Sequence, residues 1–516
     1  MYRFKVLILL FLFIKASVSS DCVQRNYGYS SFVCVCNSTF CNFDGVTTPF
    51  DSTEVKVIKT SIDQFRNYEE ILPRLDGTVD SSQVDFSIFV NPNVRRQEVV
   101  GYGGAFTDSA SMNIKSLSQE AQDNLMNMYF GDEGSRYNLA RIPIAGSDFS
   151  THPYSYDDID GDVDLVYFNL TDEDYSYKIP LLRQAVSLAS EDFYILASPW
   201  SPPSWMKTNG KFNESGELLR EMWQPYANYL VKFFEMYEDN LGSTLWGFTP
   251  QNEPLGGFDP NWSFNTCGWS AEDSRDWIAS FLGPTVSNAG YRRLQFLIDD
   301  FNRSTLPWYT LPTLSNSTSE QYVDGIAVHW YDDFTFGPEP LDETHEIAPD
   351  KFILYTEACV DRGTPDIDVA LGTWDRGEMY VTDIIENSNH WVTGWIDWNL
   401  ALDLQGGPNW VGNFVDAPVI VNATADEFYV QPMYYAVNLF SRNVQRGATA
   451  IYNVVSNDYN DFIRTTAFQN PNGEIVLIAA NTAEKAFTIG VINENSEYIF
   501  KYTIEAKTWL AIIYKD

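Results

Sequence analysis

Eight short apolar runs recur between about residues 100 and 400, and the segments that separate them carry helical spacing. The runs are 101–106 (GYGGAF), 137–144 (YNLARIPI), 193–200 (FYILASPW) and 245–253 (LWGFTPQNE), then 295–300 (QFLIDD), 324–331 (DGIAVHWY), 351–359 (KFILYTEAC) and 392–400 (VTGWIDWNL). Their length suits strands, and the absence of apolar–polar alternation suits strands covered on both faces. Between them, Ser118 can cap a helix with Ala121, Leu125 and Met128 on one face. Pro225 fits the first turn of another, where Tyr226, Leu230, Phe233, Phe234 and Tyr237 recur at helical spacing. Ser270 with Asp273 resembles a capping box, and Gly283-Pro284 marks the end of that helix. Eight strands alternating with helices predict an α/β fold, a (β/α)8 TIM barrel, whose active site lies at the C-terminal strand ends. Gly101-Tyr102-Gly103-Gly104 lacks dinucleotide-binding spacing and reads as a strand turn.

The flanks follow another pattern. Val84, Phe86, Ile88 and Val90 alternate with polar residues, and Asn472-Gly473 separates two strand-like runs as a hairpin turn would. Strand-like segments at both ends of the chain, the last being 498–514, are expected to pair with each other as a β-sandwich.

Arg3 and Lys5, the apolar run 6–14 and small residues up to Ser20 read as a secretory signal over residues 1–20. Cysteine usage agrees with export. Cys22, Cys34, Cys36 and Cys41 crowd the start of the mature chain and form two disulfides in one of three pairings. Seven N-x-S/T sequons follow, of which Asn37, Asn169, Asn213, Asn302, Asn316 and Asn422 are expected to carry glycans. The seventh, Asn261, lies close in sequence to a candidate catalytic residue and is expected to stay bare. The 70 acidic against 33 basic residues, a net charge of −37, argue against a nucleic-acid partner and suit an acidic working pH.

Two of those acids end strand-length runs: Glu253 after Pro250-Gln251-Asn252, and Glu357 after Leu354-Tyr355-Thr356. Counting along the barrel, they close the fourth and seventh strands. Two carboxyls facing each other across a sugar ring suffice for glycoside hydrolysis. Glu357 is assigned as nucleophile and Glu253 as acid/base. Asn252 could bond the sugar 2-hydroxyl, Arg141 could hold Glu357 ionised, and His329 could orient Glu253. The aromatics Trp200, Trp330, Tyr331 and Trp398 sit at strand ends where sugar C–H faces would pack, while Asp148 and Asn413 offer polar contacts. No H-E-x-x-H, G-x-S-x-G or dinucleotide motif appears, so neither metal nor cofactor is implied.

Longer motifs carry a family resemblance. Tyr27-Gly28-Tyr29-Ser30-Ser31, SPWSPPSWMKTNG (198–210), NEP (252–254), AVHWY (327–331), GWIDWNLAL (394–402) and GGPNWVGNFVD (406–416) together resemble the lysosomal glucosylceramidases of glycoside hydrolase family 30. The resemblance implies a small antiparallel β-domain from 21–45 with 401–430 and an immunoglobulin-like β-sandwich from 46–95 with 448–516. The barrel then takes 96–400 with 431–447. It also implies the pairs Cys22–Cys34 and Cys36–Cys41, with Cys267 and Cys359 free. Glu253 and Glu357 keep their roles, with Asp148, Trp200, Asn252, Trp398 and Asn413 as glucose contacts and Tyr331 as a partner of Glu357.

By the same resemblance the substrate is membrane-presented glucosylceramide, a saposin-like activator is a candidate partner, and the location is the lysosomal lumen or outside the cell. Three features depart from the family pattern. The segment 361–365 (DRGTP) lacks bulky aromatics, Gly412 replaces a basic residue, and 255–266 is one residue longer, which leaves Trp262 and Phe264 competing for the aglycone position. The alternatives are a β-glycosidase acting on a xyloside or steryl glucoside, and a glycolipid-binding protein on the same scaffold.

Overall fold

The computed structural model describes residues 22–45, 47–75, 81–360, 367–456 and 462–515. The expected signal at 1–20 and the segment 361–365 lie outside the described residues.

The eight runs form eight parallel strands in a closed barrel. They are β1 (Gly101–Ala105), β2 (Leu139–Ile144), β3 (Tyr194–Pro199), β4 (Gly247–Phe248), β5 (Gln295–Asn302), β6 (Gly325–His329), β7 (Phe352–Glu357) and β8 (Val392–Asn399). Pairing of β8 with β1 closes the cylinder, with Gly394 opposite Gly101. Leu139, Leu196, Leu297, Ala327, Leu354 and Ile396, one from each of six strands, fill one layer of the interior. Each large side chain in such a layer contributes about 1.5–3 kcal/mol by burial. The glycines of β1 are strand residues, not a turn: a Cβ on Gly103 would lie 1.6 Å from the Leu139 carbonyl oxygen. Gly103 is small because β2 passes so close, and Gly104 because the Leu400 side chain does.

β4 is much shorter than its apolar run. Pro250 has no N–H to continue the ladder, so the backbone leaves the sheet after Phe248. It stays tethered nonetheless, through Asn252 N–H to Pro199 O at 2.8 Å and Glu253 N–H to Asp300 O at 3.0 Å.

The helices obey their caps. Ser118 accepts from the Ala121 N–H ahead of Gln119–Phe130, and Ser270 from Asp273 N–H ahead of Ala271–Trp277. Gly283-Pro284 does not end the second of these. A wider turn over Ile278–Leu282 intervenes and the helix resumes at Gly283–Asn288 with Pro284 in its first turn. Such a π-turn accommodates the ring of Pro284, which would clash in an unbroken α-helix.

The chain ends combine in a nine-stranded sheet. Its order is Tyr498–Ile504, Phe487–Ile492, Phe86–Glu98, Thr449–Val455, Ile463–Gln469, Glu474–Asn481, Thr508–Lys515, Glu54–Ser61, Tyr68–Pro73. Phe86, Ile88 and Val90 alternate into a separate core with Ile475, Leu477 and Ile512. The hairpin at Asn472-Gly473 forms, with Gly473 at φ +86°. A five-stranded sheet joins Gln24–Arg25 and Val33–Asn37 to Glu427–Val430, Val419–Asn422 and Leu402–Asp403. The disulfides Cys22–Cys34 and Cys36–Cys41 staple its first strands, while Cys267 and Cys359 are buried and belong to neither bridge. Among the described residues no helix is long and apolar enough to cross a bilayer.

Candidate active site

Glu357 is the last residue of β7 and Glu253 stands five residues beyond β4, at φ +47°. A left-handed backbone at a residue with a side chain costs about 1–3 kcal/mol and persists only where its surroundings enforce it. Here the two tethers of that segment, to β3 and β5, do so. Carboxylate oxygens of Glu253 and Glu357 and a ring nitrogen of His329 lie within 4.8 Å of one another. Both acids are buried, at 8 % and 5 % exposure, yet both line one cleft.

Arg141, in the middle of β2, has no exposed surface and addresses several groups at once. Its guanidinium donates to Glu357 Oε2, and to Asn252 Oδ1 and Asp300 Oδ2, each at 2.8 Å. The Tyr331 hydroxyl donates to Glu357 Oε1 at 2.7 Å. Both carboxyl oxygens of Glu357 are thus held by donors. The trio of Glu253, His329 and Glu357 has the spacing of a cation site, but the fixed charge of Arg141 already neutralises Glu357 and opposes a second cation beside it.

His329, the last residue of β6, lies between two acids. Nδ1 is 3.3 Å from Glu253 Oε1 and Nε2 is 3.1 Å from Asp300 Oδ1. Burial disfavours its charge, but Glu357, Asp300 and Glu253 outweigh that and hold its pKa up at about 10. Burial likewise opposes the charge of Asp300, and Arg141 and His329 overcome it, holding that carboxyl well below the usual range. Glu253 goes the other way: burial raises its pKa, His329 partly offsets this, and the charge of Glu357 adds to the rise. With Glu253 protonated, two cations (Arg141, His329) face two carboxylates (Asp300, Glu357), and the buried cluster is neutral.

The cleft has a volume of about 290 Å³ and is walled by Trp200, Trp398, Trp262, Phe264 and Tyr331. Trp200 and Trp398 stack at 5.0 Å, with the Arg141 guanidinium 4.8 Å and 5.5 Å from their ring centres. Asp148 closes one side and accepts from the Asn409 and Asn413 amides at 3.2 and 3.3 Å. Burial and the charge of Glu357 push its pKa up to about 7. Trp262 and Phe264 both line the cleft, in ring contact at 5.0 Å. A larger cavity, about 520 Å³, lies among Arg96, Tyr194, Trp246 and Arg446 and contains none of these carboxyls.

Glu253, Glu357, Asp148, Trp200, Asn252, Trp398, Asn413, Arg141, His329 and Tyr331 therefore converge. Trp330 does not. Its neighbours His329 and Tyr331 face the carboxyls, so alternation turns Trp330 outward, against Tyr380 and Trp395. Asn302, expected to carry a glycan, lines the cleft with its Oδ1 buried. Asp300 escaped the sequence reading altogether. The available signal was Asp299-Asp300 closing an apolar strand run, two acids where one solvated residue would do. Both have positive φ, +76° and +61°, at a break in the β5–β6 register, and this bulge aims Asp300 at Arg141.

Residues 99–444 match the family model described as "Glycosyl hydrolase family 30 TIM-barrel domain", and residues 447–510 the one described as "Glycosyl hydrolase family 30 beta sandwich domain". The chain is a family 30 glycoside hydrolase. The enzyme is 39% identical to "Putative glucosylceramidase 4" of Caenorhabditis elegans over 501 residues, covering 96% of this chain and 94% of that one. It is 38% identical to "Lysosomal acid glucosylceramidase" of Mus musculus over 480 residues, 90% of each chain. Among solved structures it resembles "The endo-beta1,6-glucanase BT3312", with TM-score 0.77 and 25% identity over 90% of this chain and 100% of that one.

Proposed function

We propose that the enzyme is a retaining β-glucosidase that hydrolyses glucosylceramide to glucose and ceramide. The observation that carries the reading is the spacing of Glu253 and Glu357, with side-chain oxygens within 4.8 Å. Retaining glycosidases hold their carboxyls roughly 5–5.5 Å apart, whereas inverting ones leave about 6.5–9.5 Å for a water. Similarity to the glucosylceramidases supports the choice of substrate. A cleft of about 290 Å³ suits one sugar ring better than a polysaccharide chain.

Each step follows from the site. Glu357, its two oxygens held by Arg141 and Tyr331, attacks the anomeric carbon. Glu253, kept protonated by burial and by the charge of Glu357, gives its proton to the glycosidic oxygen, and ceramide departs. The covalent bond consumes the charge on Glu357, so the pKa of Glu253 falls and it becomes the base that deprotonates water. Attack of that water returns glucose with its configuration retained. Asn252, fixed by Arg141, is aimed at the sugar 2-hydroxyl. Asp148 is neutral at acidic pH and can donate to a hydroxyl without adding a third negative charge.

Action within the lysosome or outside the cell belongs to the same reading, as do entry through the secretory route, a membrane surface and a saposin-like activator. The solved endo-β1,6-glucanase keeps a second reading open, hydrolysis of another β-glycoside such as a xyloside or steryl glucoside. Trapping with a 2-fluoro-glucoside and mapping the labelled peptide tests the chemistry: the adduct belongs on Glu357, and its absence favours a binding protein. Glucose release from a glycolipid and glycoside panel at acidic pH tests the substrate. Faster turnover of xylosides than of glucosylceramide rejects it.

A further inference from the structure

Among the described residues, the most exposed large apolar side chains on the molecule are adjacent: Val166 at 71 % and Tyr167 at 66 %. They belong to a rigidly built loop. Phe168 beside them is buried against Tyr156 and Tyr229, with ring centres at 5.5 and 4.9 Å. The Tyr167 N–H donates to Asp162 Oδ2 at 2.8 Å, and Lys232 donates to the Leu165 carbonyl. Phe168 and Leu170 point inward while Tyr167 and Asn169 point outward, the alternation of an extended segment. Thr171, next in the alternation, is half-buried, and its hydroxyl donates to Asp174 Oδ2 at 3.3 Å.

Tyr167 and Asn169 therefore occupy one side of the chain, and Asn169-Leu170-Thr171 is a sequon. Among the seven sequons, this one alone has an aromatic residue two positions before its asparagine. Among the described residues the Asn169 side-chain amide is without a hydrogen-bond partner, whereas that of Asn213 is committed to Ser263 O at 3.3 Å and that of Asn422 to the Tyr429 hydroxyl at 3.0 Å. We propose that an N-linked glycan on Asn169 seats its first sugar on the Tyr167 ring and covers the Val166–Tyr167 patch. The proposal rests on the secretory reading given above. In the modification, the Asn169 nitrogen bonds to the anomeric carbon of an oligosaccharide carried on a lipid pyrophosphate. The lipid pyrophosphate leaves with the bonding electrons, and the nitrogen gives up one proton. Seated so, the sugar's C–H face meets the aromatic plane and removes apolar surface from water.

The test uses the full-length chain secreted from a eukaryotic host. Glycopeptide mass spectrometry is expected to find Asn169 occupied, and Asn169→Gln is expected to lower Tm by about 1–3 °C. Trimming every glycan to its first sugar should preserve Tm. In a Tyr167→Ala background the Asn169→Gln loss should largely vanish. Asn169 bare while other sequons carry sugar overturns the proposal, as does an undiminished Asn169→Gln effect without Tyr167. Sugar at no sequon overturns it together with the secretory reading, and leaves the hydrolase chemistry to be judged by its own trapping experiment.

Discussion

His329 Nδ1 stands 3.3 Å from Glu253 Oε1, and its other ring nitrogen faces Asp300. One imidazole thus connects an acid whose pKa burial raises to one whose pKa Arg141 and His329 hold well below the usual carboxylate range. The positive ring lowers the pKa of Glu253 without reversing the rise that burial causes.

Replacing His329 by Gln removes a charge that favours ionised Glu253. The pKa of Glu253 should rise, and since the acid form protonates the leaving group, the alkaline limb of kcat/KM against pH should move upward. The rate itself should fall, because Asp300 loses a partner and Glu253 its orientation. A pH–rate profile checks both; an unmoved limb assigns His329 to packing alone.

The two glutamates should separate by leaving group. Glu253→Gln should cost about 10²–10⁴-fold in kcat on a glycolipid, whose alkoxide needs a proton. On an aryl glucoside with a good leaving group, the first step should be far less impaired. Glu357→Gln should abolish both. Pre-steady-state kinetics on the two substrates measures the contrast.

Arg141 should be indispensable to the fold as well as to the site. Truncating it to Leu leaves buried Glu357 without its cation and Asp300 with His329 alone, an effect of about 3–5 kcal/mol. Urea unfolding should show a lower midpoint than for Glu357→Gln, which removes only one of the facing charges.

Stability should be greatest at acidic pH. The folded pKa of His329 is held up at about 10, so its stabilisation is complete below the unfolded value of about 6.5 and is lost as pH rises toward 10. Asp148 and Asp299, raised by burial to about 7 and about 8, act in the same direction, because their charged forms are disfavoured only in the folded state. Asp300 opposes them: its depressed pKa contributes above the unfolded value of about 3.9 and is lost as pH falls below it. Tm measured across pH should therefore peak near pH 4–5 and decline through pH 8. A flat profile would contradict the assigned directions.

The barrel and the facing pair of glutamates were legible in the sequence because both depend on local pattern. Strands covered on two faces must be apolar without alternation, and eight such runs with helices between them admit few closures. Glu253 and Glu357, each ending such a run within a distinctive motif, stood out among 70 acidic residues, while Asp300 at the end of the fifth run was passed over. Longer motifs then supplied the disulfide pairing and the residues that line the cleft around the two carboxyls. What stayed illegible depends on backbone departures from regular geometry. The positive φ of Glu253, the bulge that turns Asp300 toward Arg141 and the outward turn of Trp330 are enforced by neighbours distant in sequence. Asn302 shows the same limit: its sequon promises an exposed acceptor, and strand β5 delivers it to the cleft wall. Composition and periodicity determined which layers form and which acids end them. Which side chains meet, and which of them keep their protons, was decided by the closed cylinder, since burial and the summed field of Arg141, His329, Asp300 and Glu357 exist only once the strands are side by side.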